Sequence, residues 1–341
     1  PTRQPTYARH GLSVDDLGWS WELLLHSMYD SFEDSPRNLI KPLLSRYIYR
    51  LYRRLYGLLD MERPKIIAIW NGHKLQDNIL KEVNRRFNIP IAYFEIGLLP
   101  NTTSLDFKGV NAQNSVPSSA AFYAALPHRQ ISHFKLTGRE YRRIKPHHMH
   151  LPSRYLLIPF QLDRDSQILE NSPWINSMQQ LFQVATNALE QSQQTDLHLV
   201  FREHPSAKRR YPKLYASANK HALVQFDTQT PLAEIIDKAE AVITINSSVG
   251  LESLARGKKV IVLGQACYKI ENLVIDAHST SQLSHAINTL DTFQPEQHLL
   301  EKFLAFLEHD YLIRTDWEQA DKVHFEDVRQ LLLAKKEQTN V

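Results

Sequence analysis

Short apolar runs rich in β-branched residues recur along the chain, each bounded by polar turn residues. They lie at 65–70 (KIIAIW), 89–94, 155–159, 197–201, 222–226, 241–245 and 258–263. Runs of this length and composition predict buried strands. Between them apolar residues fall at helical spacing, which predicts helices over 76–87, 174–191, 206–219, 231–239, 280–290, from Pro295 onward, and near 322–335. The tightest unit is 241–268, AVITINSSVGLESLARGKKVIVLGQACY. Here a strand, a helix over 249–256 closed by Gly257, and a second strand follow within a few turns, so the strands should be parallel with a right-handed crossover. Strand–helix alternation in both halves predicts an α/β protein of two doubly wound domains. The expected division is 1–150, 151–310 and a C-terminal helical stretch 311–341 that packs back on the first domain.

Composition narrows the class. At 341 residues the chain is long enough for two domains, and a hydrophobic content of 43% suits sizeable cores. A net charge of +3 does not argue for nucleic acid. A single cysteine, Cys267, excludes an intrachain disulfide and a multi-cysteine zinc site and fits a reducing compartment. No apolar run approaches a membrane span, and no secretory signal is seen. The chain begins at Pro1 rather than Met, as expected of an excised piece. Residues 1–35 carry Trp19 and Trp21 near a weakly helical stretch and say little else.

One helix, after Pro42, interleaves Tyr47, Tyr49, Tyr52 and Tyr56 with Arg46, Arg50, Arg53 and Arg54. A basic aromatic helix can lie on an anionic membrane. The preferred reading is simpler: tyrosines packed on the domain and arginines solvated. His147, His148 and His150 sit in a basic stretch with no carboxylate or cysteine at helpful spacing, so a linker is expected there and no metal.

The polar residues that matter stand at strand ends, where open parallel sheets bind ligands. After the 241–245 strand come Asn246, Ser247 and Ser248 at a helix N-terminus, a natural anion site, with Glu252 one turn further in reach of ribose hydroxyls. Helix capping explains the serines equally well. Glu95 and Gly97 end the 89–94 strand and open a long polar loop, 101–117. Surface capping of a helix is the bland alternative for Glu95. Asp163 and Asp165 follow one strand; Arg202 and His204-Pro205 follow another. No GxGxxG or P-loop appears, against a dinucleotide oxidoreductase or an NTPase.

Four blocks in order resemble one family. EIGLLPNTTSLDFKGVNAQNS (95–115) looks like E-x-G-x-x-P…D-x-x-G-V-N, and QLDRDSQI (161–168) like Q-x-x-x-D-S-Q-I. REHP (202–205) and INSSVGLESLARGKKVIVLGQACY (245–268) match a His-Pro motif and an N-S-S-x-G-x-E block; WNG (70–72) fits as well. These resemble the capsule polysaccharide biosynthesis proteins, a family of retaining β-Kdo glycosyltransferases, over about residues 65–270.

The resemblance implies a GT-B-like fold, two Rossmann-like domains facing a central cleft. It implies transfer of 3-deoxy-manno-octulosonic acid (Kdo) from CMP-Kdo, with retention, onto a lipid or glycan acceptor of a Gram-negative surface polysaccharide. Asp165 holds the family position expected of the nucleophile, ahead of Asp163. Glu95 is expected to be the base toward the acceptor, and His204 to stabilise the leaving phosphate. Arg202, His204, Asn246, Ser247, Ser248 and Glu252 are expected around the nucleotide; Gly97, Asp106, Lys108, Asn111 and Gln161 around the sugar or acceptor. No metal or other cofactor is expected, because a departing phosphate needs anion stabilisation rather than a strong proton donor. Expected partners are the CMP-sugar, the acceptor, capsule assembly proteins and the cytoplasmic face of the inner membrane; nucleic acid is not expected. The rival readings are a GT-B enzyme using a UDP-sugar or CMP-sialic acid, a sugar-nucleotide epimerase, and a non-catalytic scaffold.

Overall fold

A computed structural model describes residues 37–131, 150–163, 165–207 and 211–338, with side chains described from Arg46 to Lys335. The Trp19/Trp21 stretch, His147 and His148 lie outside the described residues. The chain divides into two compact units. One takes the described residues up to Glu95, Leu105–Val110 and the stretch from Phe325; the other takes Ile96–Ser104 and Asn111–His324. The division therefore falls at 96–111, rather than near 150.

The first unit opens with α1 (Arg37–Glu62), followed by β1 (Ile67–Trp70), α2 (Leu75–Asn84) and β2 (Ile91–Ile96); of the next strand, β3 (Thr103–Asp106), Leu105 and Asp106 belong to it and Thr103 and Ser104 to the second unit. Helix α1 begins five residues before Pro42 rather than after it. At the sixth helical position the missing N–H removes one intrahelical bond, which the remaining turns tolerate. Its inward residues Ile48, Tyr52 and Leu59 pack with Ile67 and Ile69 of β1 and with Leu75, Ile79 and Val83 of α2. Strands β1 and β2 are parallel, Ile67 opposite Ile91.

The long polar loop expected over 101–117 contains a strand, β3. Its sequence, TSLD, lacks an apolar run, yet all four residues are buried. Pairing rather than hydrophobicity makes it a strand.

The second unit continues with α3 (Ala120–Ala124), β4 (Tyr155–Pro159), α4 (Ser166–Asn171), α5 (Met178–Glu190), β5 (His198–Arg202), α6 (Pro212–Ala218), β6 (Val224–Phe226) and α7 (Leu232–Lys238). Then come β7 (Ala241–Thr244), α8 (Ser248–Ala255), β8 (Lys259–Val262), β9 (Ile275–Asp276), α9 (Thr280–Asn288), α10 (Gln297–Phe306) and β10 (Leu312–Ile313), with α11 (Lys322–Gln338) last in the chain. The helix expected over 174–191 begins at Met178, where Ser177 caps it by accepting from the Gln180 N–H. Gly257 follows α8 with φ +72, the left-handed turn expected there.

Six strands form one sheet in the order β6-β5-β4-β7-β8-β9, every pair parallel. Strand β4 is buried along its whole length. Leu156 and Ile158 face a layer that includes Met178, Leu181 and Phe182 of α5 and Leu283 of α9. Tyr155 and Leu157 face the opposite layer with Ile235 and Ile236 of α7. Alternate residues thus enter two different cores, which is why the strand reads as an unbroken apolar run.

The other sheet runs β1-β2-β3-β10. There β10 is antiparallel to β3, Leu312 opposite Ser104, so this sheet is mixed. Strands as short as β9 and β10 leave no periodicity to read.

Candidate functional site

The chain order along the six-stranded sheet reverses between β4 and β7. From β4 the chain goes to β5 and β6 on one side, then returns to β7 and continues to β8 and β9 on the other. Loops leaving adjacent strands in opposite directions open a crevice at their carboxyl ends. Three predicted clusters stand on this edge: 161–165 after β4, 202–204 at the end of β5, and 246–248 after β7.

The β4 and β7 loops are bound to each other by a buried set of amides. Gln161 donates from Nε2 to Asn246 Oδ1 at 2.8 Å and accepts at Oε1 from the Asn246 N–H at 3.3 Å. Asn246 donates in turn to the carbonyls of Gln167 at 2.9 Å and Asn171 at 3.3 Å. Gln161 and Asn246 are each only 8% exposed. Two residues predicted to contact sugar and nucleotide thus have their amides engaged in holding the rim. Asn171 also accepts from the Gln265 N–H at 2.8 Å, extending the brace to the loop after β8.

The two aspartates after β4 differ. Asp163 has both oxygens occupied: Oδ1 accepts from the Met178 N–H at 2.5 Å and Oδ2 from the Tyr211 hydroxyl at 2.7 Å. Asp165 is the N-cap of α4, accepting at Oδ1 from the Gln167 N–H at 3.0 Å. Among the described residues its Oδ2 accepts no hydrogen bond. The capping alternative is therefore realised, and it leaves one carboxylate oxygen over.

His204 stands close enough to Asp165 to feel its charge. Burial lowers the imidazole pKa and the carboxylate partly restores it. Nδ1 accepts from the Ser206 N–H at 3.1 Å, so the neutral ring carries its proton on Nε2. Burial keeps that ring neutral at pH 7, a hydrogen-bond donor rather than a cation.

Arg202 turns away to the β6–α7 connection. It donates to the Thr230 carbonyl at 2.6 Å and lies 3.7 Å from buried Asp227. Asp227 itself accepts from the Gln229 and Thr230 N–H groups, both at 2.9 Å. The guanidinium fastens that turn.

Ser247 caps α8, accepting from the Val249 N–H at 3.2 Å, while Ser248 is the exposed first residue of the helix. The Ser247 carbonyl accepts from the Tyr268 hydroxyl at 2.6 Å. That ring lies so close to α8 that a Cβ on Gly250 would sit 2.3 Å from the Tyr268 hydroxyl oxygen. Gly250 is thus required by a tyrosine eighteen positions away. Glu252 pairs with Arg256 at 3.3 Å, one turn along the same helix.

Gly97 owes its identity to another close approach. Its N–H donates to the Thr102 carbonyl at 2.8 Å, and a Cβ would fall 1.9 Å from Thr102 Oγ1. Asn111, with φ +55, opens a single 3-10 turn at 111–113.

In the first unit Glu95 is half-buried in β2 and accepts a short hydrogen bond from the Asn71 amide. Asn71 and Gly72, with φ +62 and +83, form the turn after β1, and the Asn71 N–H donates to the Phe94 carbonyl at 2.7 Å. Among the described residues the Glu95 carboxylate caps no helix. Asp106 is buried and accepts from the Lys108 and Gly109 N–H groups at 2.6 and 3.2 Å, leaving the Lys108 side chain exposed.

Sequence reasoning did not find Tyr211, Tyr268, Asn171 or the Asp227–Thr230 turn. Tyr268 ends the block containing Gly250, but no spacing rule links a tyrosine to a distant glycine. Asn71 was quoted in WNG without a role. Among the described residues no three His, Cys, Asp or Glu side chains are grouped as a metal site would need. Cys267 is buried, which pushes its thiol up to about 12, a poor nucleophile.

Comparison with known proteins follows this geometry. The profile of the capsule polysaccharide biosynthesis protein family matches residues 123–315, which include the whole six-stranded sheet. The chain is 34% identical over 253 residues to Protein FixF of Sinorhizobium fredii, covering 73% of this chain and 60% of FixF. It is 24% identical over 277 residues to the capsule polysaccharide export protein KpsS of Escherichia coli, covering 64% of this chain and 69% of KpsS. Among solved structures, the β-Kdo 2,7 transferase of Thermosulfurimonas dismutans KpsC superposes with a TM-score of 0.53. It does so at 16% identity, covering 93% of this chain and 96% of that one. That likeness is one of fold, the GT-B-like class that the family resemblance implied. With more than half its length matched by the profile, this chain belongs to the capsule polysaccharide biosynthesis protein family.

Proposed function

We propose that this protein is a retaining glycosyltransferase that moves Kdo from CMP-Kdo onto a lipid or glycan acceptor of a surface polysaccharide. The observation that carries the reading is the contrast between Asp163, saturated by two donors, and Asp165, which keeps one oxygen while its other caps α4. Retention by double displacement needs one such carboxylate on a fixed backbone.

Asp165 Oδ2 attacks the anomeric carbon of Kdo. The bond from that carbon to the phosphate oxygen breaks, and its electron pair leaves with CMP. His204, neutral with its proton on Nε2, donates a hydrogen bond to the departing phosphate. Ser248, the exposed first residue of α8, supplies further donors to the anion. In the second step Glu95 takes the acceptor hydroxyl proton, the acceptor oxygen attacks the same carbon, and the Asp165 carboxylate leaves. Two inversions give net retention. The hydrogen bond from the Asn71 amide orients the Glu95 carboxylate for this role.

Gln161, Asn246 and Arg202 serve this reaction by fixing the rim. Asp106, Lys108 and Asn111 remain assigned to the sugar or acceptor. The site of action is the cytoplasmic side of the inner membrane, where a nucleotide-activated sugar is supplied.

The test is calorimetry against CMP, UDP, UMP and GDP without added metal. Selective binding of CMP, lost in His204→Ala and weakened in Ser248→Ala, is the expected result. Preference for UDP would overturn the donor and the roles of Asp165 and Glu95 with it.

A further inference from the structure

We infer that the outward face of α1 is a docking surface for an anionic lipid bilayer. The tyrosines of this helix divide between its two faces, which the sequence pattern alone did not resolve. Tyr52 and Tyr56 pack inward with Ile48, Leu51, Leu55 and Leu59. Tyr47 and Tyr49 point outward and are 46% and 42% exposed.

On the same outward arc lie Arg46, Arg50, Arg53 and Arg54, all exposed. Positions 46, 50 and 54 form one row spaced four residues apart, about 12 Å long at the rise of an α-helix. The Arg53 guanidinium lies over the Tyr49 ring at 5.8 Å. No acidic residue occurs between 46 and 59. The first acid, Asp60, is held by Arg63 in a short ion pair. Like charges one turn apart repel and weaken a helix in water, and an anionic partner relieves that repulsion.

Charge alone would fit any polyanion; the apolar side chains on this face choose among them. Leu58 and Met61, 47% and 74% exposed, continue the face beyond the arginines. A bilayer accepts such side chains below its headgroups, and tyrosine favours that interface. A nucleic acid offers no comparable medium for leucine and methionine. Among the described residues no helix is long and apolar enough to cross a membrane, so the contact would be peripheral. The inference is independent of the donor and of the roles of Asp165 and Glu95.

Flotation of the full chain with vesicles tests it. Vesicles of phosphatidylcholine with phosphatidylglycerol should carry the protein, and phosphatidylcholine alone should not. Binding should weaken as salt is raised. Each arginine removed should lower partitioning about fivefold, so Arg46→Gln, Arg50→Gln and Arg54→Gln together should lower it about a hundredfold. The same three positions changed to Lys should bind as the unaltered chain does, because charge rather than guanidinium geometry is at work. That variant also separates a binding defect from a folding defect. Tyr47→Ser with Tyr49→Ser should weaken binding and leave its salt dependence intact. The inference is overturned if the triple Gln variant binds normally, if neutral vesicles bind equally well, or if a single-stranded oligonucleotide binds more tightly than vesicles at equal phosphate concentration.

Discussion

The strand-end rim of the second unit and that of the first are built in different ways. At the ends of β5, β4 and β7 most motif residues bind one another. Gln161 holds Asn246, Asn246 holds the α4 segment, Asp163 holds Tyr211 and the start of α5, and Arg202 holds the Asp227 turn. At the ends of β1 and β2 the support of Glu95 is a two-residue left-handed turn and the Asn71 amide. A motif residue in the first rim is therefore most often structural, and reactivity falls to the few with an atom left over. In the rim of the first unit the motif carboxylate, Glu95, is half-buried and held by the Asn71 amide. A family block records both kinds of residue without distinguishing them.

Substitutions can sharpen this contrast. The largest effect is expected for Asp165→Asn. Asparagine caps a helix as well as aspartate does, so the melting temperature should hold, while transfer should fall on the order of 10⁴-fold or more. Turnover assays and thermal melts on the same preparation check both halves.

Glu95→Gln comes next. Glutamine can still accept from Asn71 but takes no proton, so transfer should fall about 10²- to 10⁴-fold with stability unchanged. A stability loss comparable to that of a braced residue would erase the difference between the rims.

Asn246→Ala should show the opposite pattern. It leaves the buried Gln161 amide and two carbonyls without their partner, at a cost of about 3 kcal/mol in unfolding free energy. Urea titration measures this directly, and CMP affinity should fall only as far as the rim loosens.

The smallest effect is a pH dependence from His204. Burial lowers its pKa in the folded state, so below its ordinary value of about 6.5 the unfolded chain binds the proton first. Stability from this group is complete above that value and declines as pH falls through the window beneath it. The decline should be shallower in His204→Gln, which keeps a donor near Nε2 and cannot charge.

Much of the fold was legible because the six-stranded sheet is buried on both faces, so its main strands appear as unbroken apolar runs. Strand β3 was not legible, since TSLD is polar and owes its burial to pairing. Nor were β9 and β10, too short to show a period. The mixed character of the first sheet follows from β10 and was missed with it. At the candidate site, residue types and strand-end positions pointed to loops that the topology gathers where the strand order reverses. What sequence could not tell was which polar atoms were already engaged. The hydrogen bond from Gln161 to Asn246 spans 85 positions and that from Tyr211 to Asp163 spans 48. The near-contact of Gly250 with Tyr268 is of the same kind. Such pairings follow from topology, and one chain read in order does not display them.

The central claim is that Asp165 forms a covalent bond to the sugar. Its most direct test is to incubate the Glu95→Gln variant with CMP-Kdo and no acceptor, then measure intact mass and map the modified peptide. The account predicts a gain of one Kdo residue on the peptide containing Asp165, absent when Asp165→Asn is added. An adduct on Asp163 or elsewhere, or CMP release equal to that of the unaltered protein with Asp165 removed, would contradict it.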